Sequence, residues 1–246
     1  MWSRVRARIP HTLGAFSLIE MSMVLLIMGV ILSFSLPYLT NHLVFERQKQ
    51  TSANFEEITH ALALFVMQTG RLPYPSSPTS SENRGQEDAS LSGGQAGIIP
   101  FKTLGLSQVS AKDGYNHWIS YIPHPALTDE TTLSRSPFGD EATSFCAVPL
   151  EPSFQLLDDR NANIAGEEDM QPAYMLISHG KGGGDFLESG SMRILGHQHP
   201  CKNENTNGDM VFRESLSKEC DDKVFWKNRQ ILLAVYAKSP CPVLGD

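Results

Sequence analysis

From Phe16 to Leu36 the chain is almost wholly apolar, and Glu20 is the only charge in that run. At about 1.5 Å per residue, an apolar helix of about 20 residues crosses the hydrocarbon core of a bilayer, so the run predicts one membrane span. Beyond Pro37 the sequence turns polar but keeps Val44, Thr51, Phe55, Ile58, Leu62, Phe65 and Val66 at intervals of sevens, threes and fours. That spacing places them on one stripe of an amphipathic helix. Thr69-Gly70 supplies a glycine stop, and Pro73 and Pro75 prevent the helix from resuming. The pattern therefore predicts a span over 16–39 and an amphipathic continuation over 40–69, roughly 80 Å in all if the helix is unbroken.

Residues 70–246 read as one globular head. Ser76 to Gly97 is rich in Ser, Gly, Glu and Asn, offers little to a core, and reads as a mobile surface loop. Short apolar runs at Trp118–Ile122, Phe145–Val148, Tyr174–Ser178, Met210–Phe212 and Val224–Trp226 read as strands between Pro, Gly and Asn punctuation. Gln230–Tyr236 fits either a last strand or a short helix. The expected class is α+β, a long N-terminal helix packed on a small antiparallel sheet.

Composition narrows the setting. With 246 residues, 41% of them hydrophobic, the chain can bury a core, and an N-terminal anchor leaves material for about one domain. Arg4, Arg6 and Arg8 are the only charges before Phe16; against a formal net charge of −7, the remainder carries −10. So acidic a body argues against a nucleic-acid platform. The basic, acid-free segment from Met1 to Ala15 ahead of an apolar run is an envelope-targeting pattern with the positive end inside. Cys146, Cys201, Cys220 and Cys241 show no CxxC pair. Two disulfides in an oxidising compartment is the simpler reading, with three connectivities open, or one bridge and two free thiols. Zinc held by His197, His199 and Cys201, with Gln198 between, is the metal alternative.

Glu20 is the informative residue, because a carboxylate inside a membrane helix costs roughly 2.5 to 3.5 kcal/mol and usually has a polar partner. The segment Gly14-Ala15-Phe16-Ser17-Leu18-Ile19-Glu20, followed by the apolar helix, resembles the cleavage and methylation motif of type IV prepilins and type II secretion pseudopilins. The resemblance implies that a membrane peptidase cuts between Ala15 and Phe16, removing a leader of residues 1–15, and methylates the Phe16 amine. The family's usual residue before the cut is glycine. Here it is Ala15, with Gly14 one place earlier, which makes Gly14/Ala15 the competing register; Glu20, fifth in the mature chain, favours the first. Pro37 falls where many pilins carry a helix-kinking proline. The resemblance further implies a filament subunit, major or minor, whose Glu20 neutralises the terminal amine of a neighbouring copy. Its implied partners are other pilin or pseudopilin subunits, the prepilin peptidase, an inner-membrane assembly platform and the lipid bilayer. The implied place is the inner membrane, single-pass, with the head periplasmic. Weaker echoes follow in order at Gly70–Pro73, Ile99–Leu106, Lys112–Asn116 and Ser178–Gly180.

Other chemistry is sparse. His179-Gly180-Lys181-Gly182-Gly183-Gly184-Asp185 lacks the Gly-Lys-Ser/Thr that opens a phosphate-loop helix and reads as a turn. Major pseudopilins bind calcium near this place, which makes Asp185, Asp221 and Asp222 oxygen candidates, although no regular ligand loop surrounds them. No nucleophile elbow or zinc-protease helix occurs, so the chain is expected not to be an enzyme. The alternatives are a protein anchored by an uncleaved helix, a secreted protein cut near Ser33-Phe34-Ser35, and an anchored periplasmic enzyme. An enzyme would need a pocket joining residues such as His124, Asp159 and His179, which read more simply as surface loop histidines and an acid.

Overall fold

A computed structural model describes residues 17–79, 82–91, 94–138, 142–151, 153–158, 160–165, 170–186, 192–194, 204–205, 209–214, 220–236 and 241. The chain divides into two units, Met1–Phe45 and Glu46–Asp246. Helix α1, Leu18–Thr69, belongs to both. Its first turn closes through Met21 N–H donating to Ser17 O (3.1 Å), and Pro37 lies inside it.

In the first unit every described residue is exposed, and the helix there is long and apolar enough to cross a membrane. Val44, assigned to the core stripe from its spacing, is 41% exposed, so the buried stripe starts later. In the second unit α1 buries Thr51, Phe55, Ile58, Leu62 and Val66 together with Asn54, Thr59 and Ala63. The helix stops at Gly70, whose φ of +77° a side chain would strain and whose added Cβ would run into the Ser134 and Arg135 backbone.

The sheet of the second unit runs in the order β1 (Gly97–Ile98), β2 (Ser120–Pro123), β4 (Pro172–Ser178) and β8 (Lys223–Asn228), antiparallel throughout. Tyr121, Tyr174, Leu176 and Phe225 face α1 and share one cluster with Phe55, Ile58, Leu62 and Val66. Ile122, Met175, Ile177 and Val224 alternate to the opposite face, where Phe154, Leu156, Ala165 and Phe212 cover them. Both faces are thus dry. This is why β4 is a continuous apolar run and buried at all seven residues, with no alternation. Each large apolar side chain so buried contributes about 1.5–3 kcal/mol before entropy is counted. The class is α+β, as expected.

Several local expectations change. Phe145–Val148 is a set of turns, because Phe145 and Cys146 bury into the helix-side core through a tight bend. A short helix at Arg229–Leu233, capped by Asn228 accepting from Ile231 N–H, occupies the start of the Gln230–Tyr236 run. The strand expected at Met210–Phe212 forms one residue later as β7 (Val211–Arg213), which pairs parallel with β3 (Gln155–Leu157); β3 and the antiparallel pair β5 (Gly184–Phe186) with β6 (Met192–Ile194) were not expected from the sequence.

The Ser76–Gly97 segment is held by polar contacts that composition does not reveal. Ser76 is fully buried, bridges Ile98 in both directions, and accepts from Gly85 N–H (2.7 Å). Glu87 receives both Arg71 guanidinium nitrogens (2.8 and 3.1 Å) and Tyr74 N–H (3.2 Å). Burial works to lower the Arg71 pKa, but the Glu87 hydrogen bond and charge outweigh it and leave it raised.

Candidate functional site

Two places carry the candidate chemistry. The first is the exposed helix of the first unit. Three of its hydroxyls are satisfied within the helix: Ser22 donates to Ile19 O (2.8 Å), Ser35 to Ile31 O (2.8 Å) and Thr40 to Pro37 O (2.9 Å). Bonds of this kind let small polar side chains enter hydrocarbon. Glu20 has no such arrangement: among the described residues nothing pairs with its carboxylate. An apolar helix with one carboxylate in its first turn is thereby left with a charge to be satisfied from elsewhere. Ala15 and Phe16, the expected cleavage and methylation residues, lie outside the described residues.

The second place is a polar seam across one end of the sheet. Asp113, 2% exposed, accepts from Tyr115 N–H (2.9 Å) and His117 N–H (2.9 Å) with one oxygen and from Ser178 Oγ (2.7 Å) with the other. The same turn docks on α1, since Gly114 N–H donates to Thr51 Oγ1 (3.0 Å) and Asn54 Nδ2 donates to Lys112 O (2.6 Å). Beyond Ser178, His179 Nε2 meets Ser120 Oγ at 2.8 Å, and His179 Nδ1 lies 3.5 Å from Asp222 Oδ2. Asn205 donates to the same Asp222 oxygen (3.0 Å), and Asp221 accepts from Gly182 N–H (2.9 Å). A cavity of about 300 Å³ opens beside the seam, walled in part by Thr51, Tyr115, Ser178, Gly180, Asp221 and Lys223.

No family model, curated protein or solved structure matches the chain. Ser120, His179 and Asp222 have the hydroxyl–imidazole–carboxylate connectivity that activates a serine nucleophile. Ser120, however, is 1% exposed, lies on a strand paired on both sides, and does not line the cavity. A nucleophile must reach its substrate, so the relay reads as a tie joining β2, the turn after β4 and the start of β8.

His124 and His179 are not the surface residues expected: both are buried, His124 capping the 3-10 turn Pro125–Leu127 and stacking edge-on to Phe154 at 5.2 Å. They belong to different contacts, and Asp159 lies outside the described residues. For calcium, Asp222 is turned to His179 and Asn205 while Asp221 holds Gly182; the side chain of Asp185 lies outside the described residues, and no group of three or more His, Cys, Asp or Glu converges among those that are described. The zinc candidates His197, His199 and Cys201 also lie outside them. Cys146 and Cys241 form a disulfide, and Cys220 is disulfide-bonded as well.

Sequence reasoning missed Asp113 as the keystone of the seam. Its signal was present in Lys112-Asp113-Gly114-Tyr115-Asn116, where an aspartate two residues before an amide it can cap is ordinary turn chemistry.

Proposed function

We propose that the protein is a structural subunit of a type IV pilus or type II secretion filament. In this reading a prepilin peptidase cuts between Ala15 and Phe16 and methylates the new amine. The basic leader orients the span so that the head lies in the periplasm. The helix then passes from the bilayer into a bundle of equivalent helices, exchanging lipid for packing. Glu20 pairs there with the Phe16 amine of a neighbouring copy, since a buried charge needs a counter-ion. Pro37 removes one helix hydrogen bond, which lets the helix bend within the bundle. In this reading a partner motor drives assembly.

One observation carries this reading: the carboxylate of Glu20, five residues into the mature chain, stands without a partner among the described residues on an otherwise apolar and exposed helix. Its test is Glu20→Val, followed by fractionation of membranes and sheared filaments from the native host. Insertion and cleavage should persist while incorporation falls by about 100-fold or more, the loss expected when one buried charge pair is broken. Normal incorporation of the variant refutes the pairing role of Glu20. Absence of the wild-type chain from any sedimentable filament refutes the filament reading itself.

A further inference from the structure

We propose that the cavity beside the polar seam binds a zwitterion in which a primary ammonium is joined to a phosphate, the headgroup of an ethanolamine phospholipid. The lining holds both charges such a ligand needs, on different elements. Gln48 and Thr51 form the α1 wall, and Lys223 reaches it from β8. The Lys223 ammonium donates to Ser52 Oγ (2.6 Å), which donates in turn to Gln48 O (2.9 Å). No carboxylate among the described residues lies within ion-pair distance of Lys223, Asp221 included. An ammonium has three donors, so Lys223 keeps two for a ligand.

The other wall is the turn after β4. There Asp221 accepts from Gly182 N–H (2.9 Å). Gly180, at φ +60°, packs so closely on it that an added Cβ would collide with the Asp221 carboxylate and backbone oxygen. The carboxylate is thus fixed in place, and with about four lone-pair sites it can take an ammonium besides Gly182. Tyr115 completes the lining, with the Arg47 guanidinium 5.1 Å from its ring centre as a second cation beside the cavity. Burial raises the Tyr115 phenol above its usual value, so at neutral pH it is a donor. Asp221 therefore receives the ammonium, and Lys223 and Tyr115 the phosphate.

A volume of about 300 Å³ lies at the small end of ligand sites and suits a headgroup. Its place along the chain favours a lipid as the source. The exposed apolar residues that begin at Leu18 run to Phe45, and Gln48 follows three residues later, a stretch of chain that spans at most about 11 Å. A lipid whose tails cover that apolar surface has its headgroup within reach of the cavity. A choline headgroup carries the same charges but no N–H for Asp221, and a glycerol headgroup has the phosphate without the cation. The inference rests on the membrane span and not on filament assembly.

The test places full-length protein in mixed micelles with equal amounts of phosphatidylethanolamine, phosphatidylcholine and phosphatidylglycerol, and counts the retained lipids by native mass spectrometry. The ethanolamine lipid should be retained about tenfold or more over each of the others, the gain expected from one charge-assisted hydrogen bond. Asp221→Asn, which keeps an acceptor for Gly182, should lose that preference. Lys223→Gln should lose it too, while Lys223→Arg keeps it. Equal retention of the three lipids overturns the ligand, and an unchanged preference in both Asp221→Asn and Lys223→Gln overturns the site. Free phosphoethanolamine and glycine, titrated into the lipid-loaded protein, separate the sources. Phosphoethanolamine should displace the lipid only in large excess; displacement at equal concentration overturns the lipid as source, and glycine competing as well as phosphoethanolamine overturns the phosphate. None of these results bears on the filament reading, with which the site shares only the span.

Discussion

Replacing Asp113 with alanine tests whether the polar seam fixes the head on its helix. Asp113 satisfies three donors at once, two backbone amides and the Ser178 hydroxyl, at 2% exposure. A buried donor left unsatisfied costs about 1–3 kcal/mol. Three such losses, partly relieved by water entering from the adjoining cavity, give about 3–5 kcal/mol. Asp113→Asn is the control. Its side-chain oxygen can still take the two amides, and its NH₂ can donate to Ser178, so it should lose only about 1–2 kcal/mol. With a urea m-value of about 2–3 kcal/mol/M, the alanine variant should unfold about 1–2.5 M earlier, followed by the fluorescence of Trp118 and Trp226 in full-length protein. The Thr51–Gly114 and Asn54–Lys112 contacts should loosen with it, seen as faster amide exchange around Gly114. A midpoint shift below about 0.5 M, with m unchanged, would mean that the seam is not the keystone.

The remaining predictions follow the same logic. Tyr121 and Tyr174 are fully buried, Tyr121 donating to Pro73 O and Tyr174 bonded to Thr59. Burial pushes both phenols above their usual value of 10.0. The folded state keeps them protonated while the unfolded chain ionises near pH 10. Their contribution is therefore complete below pH 10 and falls above it, at about 1.4 kcal/mol per pH unit for each tyrosine. A pH series of unfolding midpoints should show this decline, Tyr174→Phe should remove about half of it, and a flat profile to pH 12 contradicts it. Glu87→Ala strips the partners of Arg71 and Tyr74 N–H and should cost about 2 kcal/mol. That figure is discounted from the larger penalty for fully buried pairs because the Glu87 side chain is 27% exposed. Glu130→Ala, with its side chain 63% exposed, should cost under about 1 kcal/mol in the same denaturation assay.

The elements legible in the sequence were those whose pattern repeats long enough to have a period. The buried stripe of α1 from Thr51 to Val66 and its stop at Gly70 follow from spacing and glycine chemistry, and β4 and β8 from apolar runs. Phe145–Val148 shows the limit: an apolar run marks burial but cannot tell a strand from a buried bend. Strands of two or three residues, such as β1 and β3, are too short for alternation to register. The polar half of the head was harder still. Ser76, Asp113 and His179 are buried, and Glu87 is half-buried, because partners 9 to 65 residues away satisfy them, and composition counts a polar residue as surface whether or not such a partner exists. In the candidate assembly segment the reverse holds. A lone glutamate in an apolar run stands out in the sequence itself, and the chain offers no described partner to absorb it.

The most direct test of the filament reading is intact-mass and N-terminal mass spectrometry on protein from membranes of the native host, with and without its prepilin peptidase. The account predicts a chain beginning at methylated Phe16, and the uncut precursor when the peptidase is missing. A start at Met1 or at Leu36 in both strains would contradict it and leave an anchored or secreted envelope protein in its place.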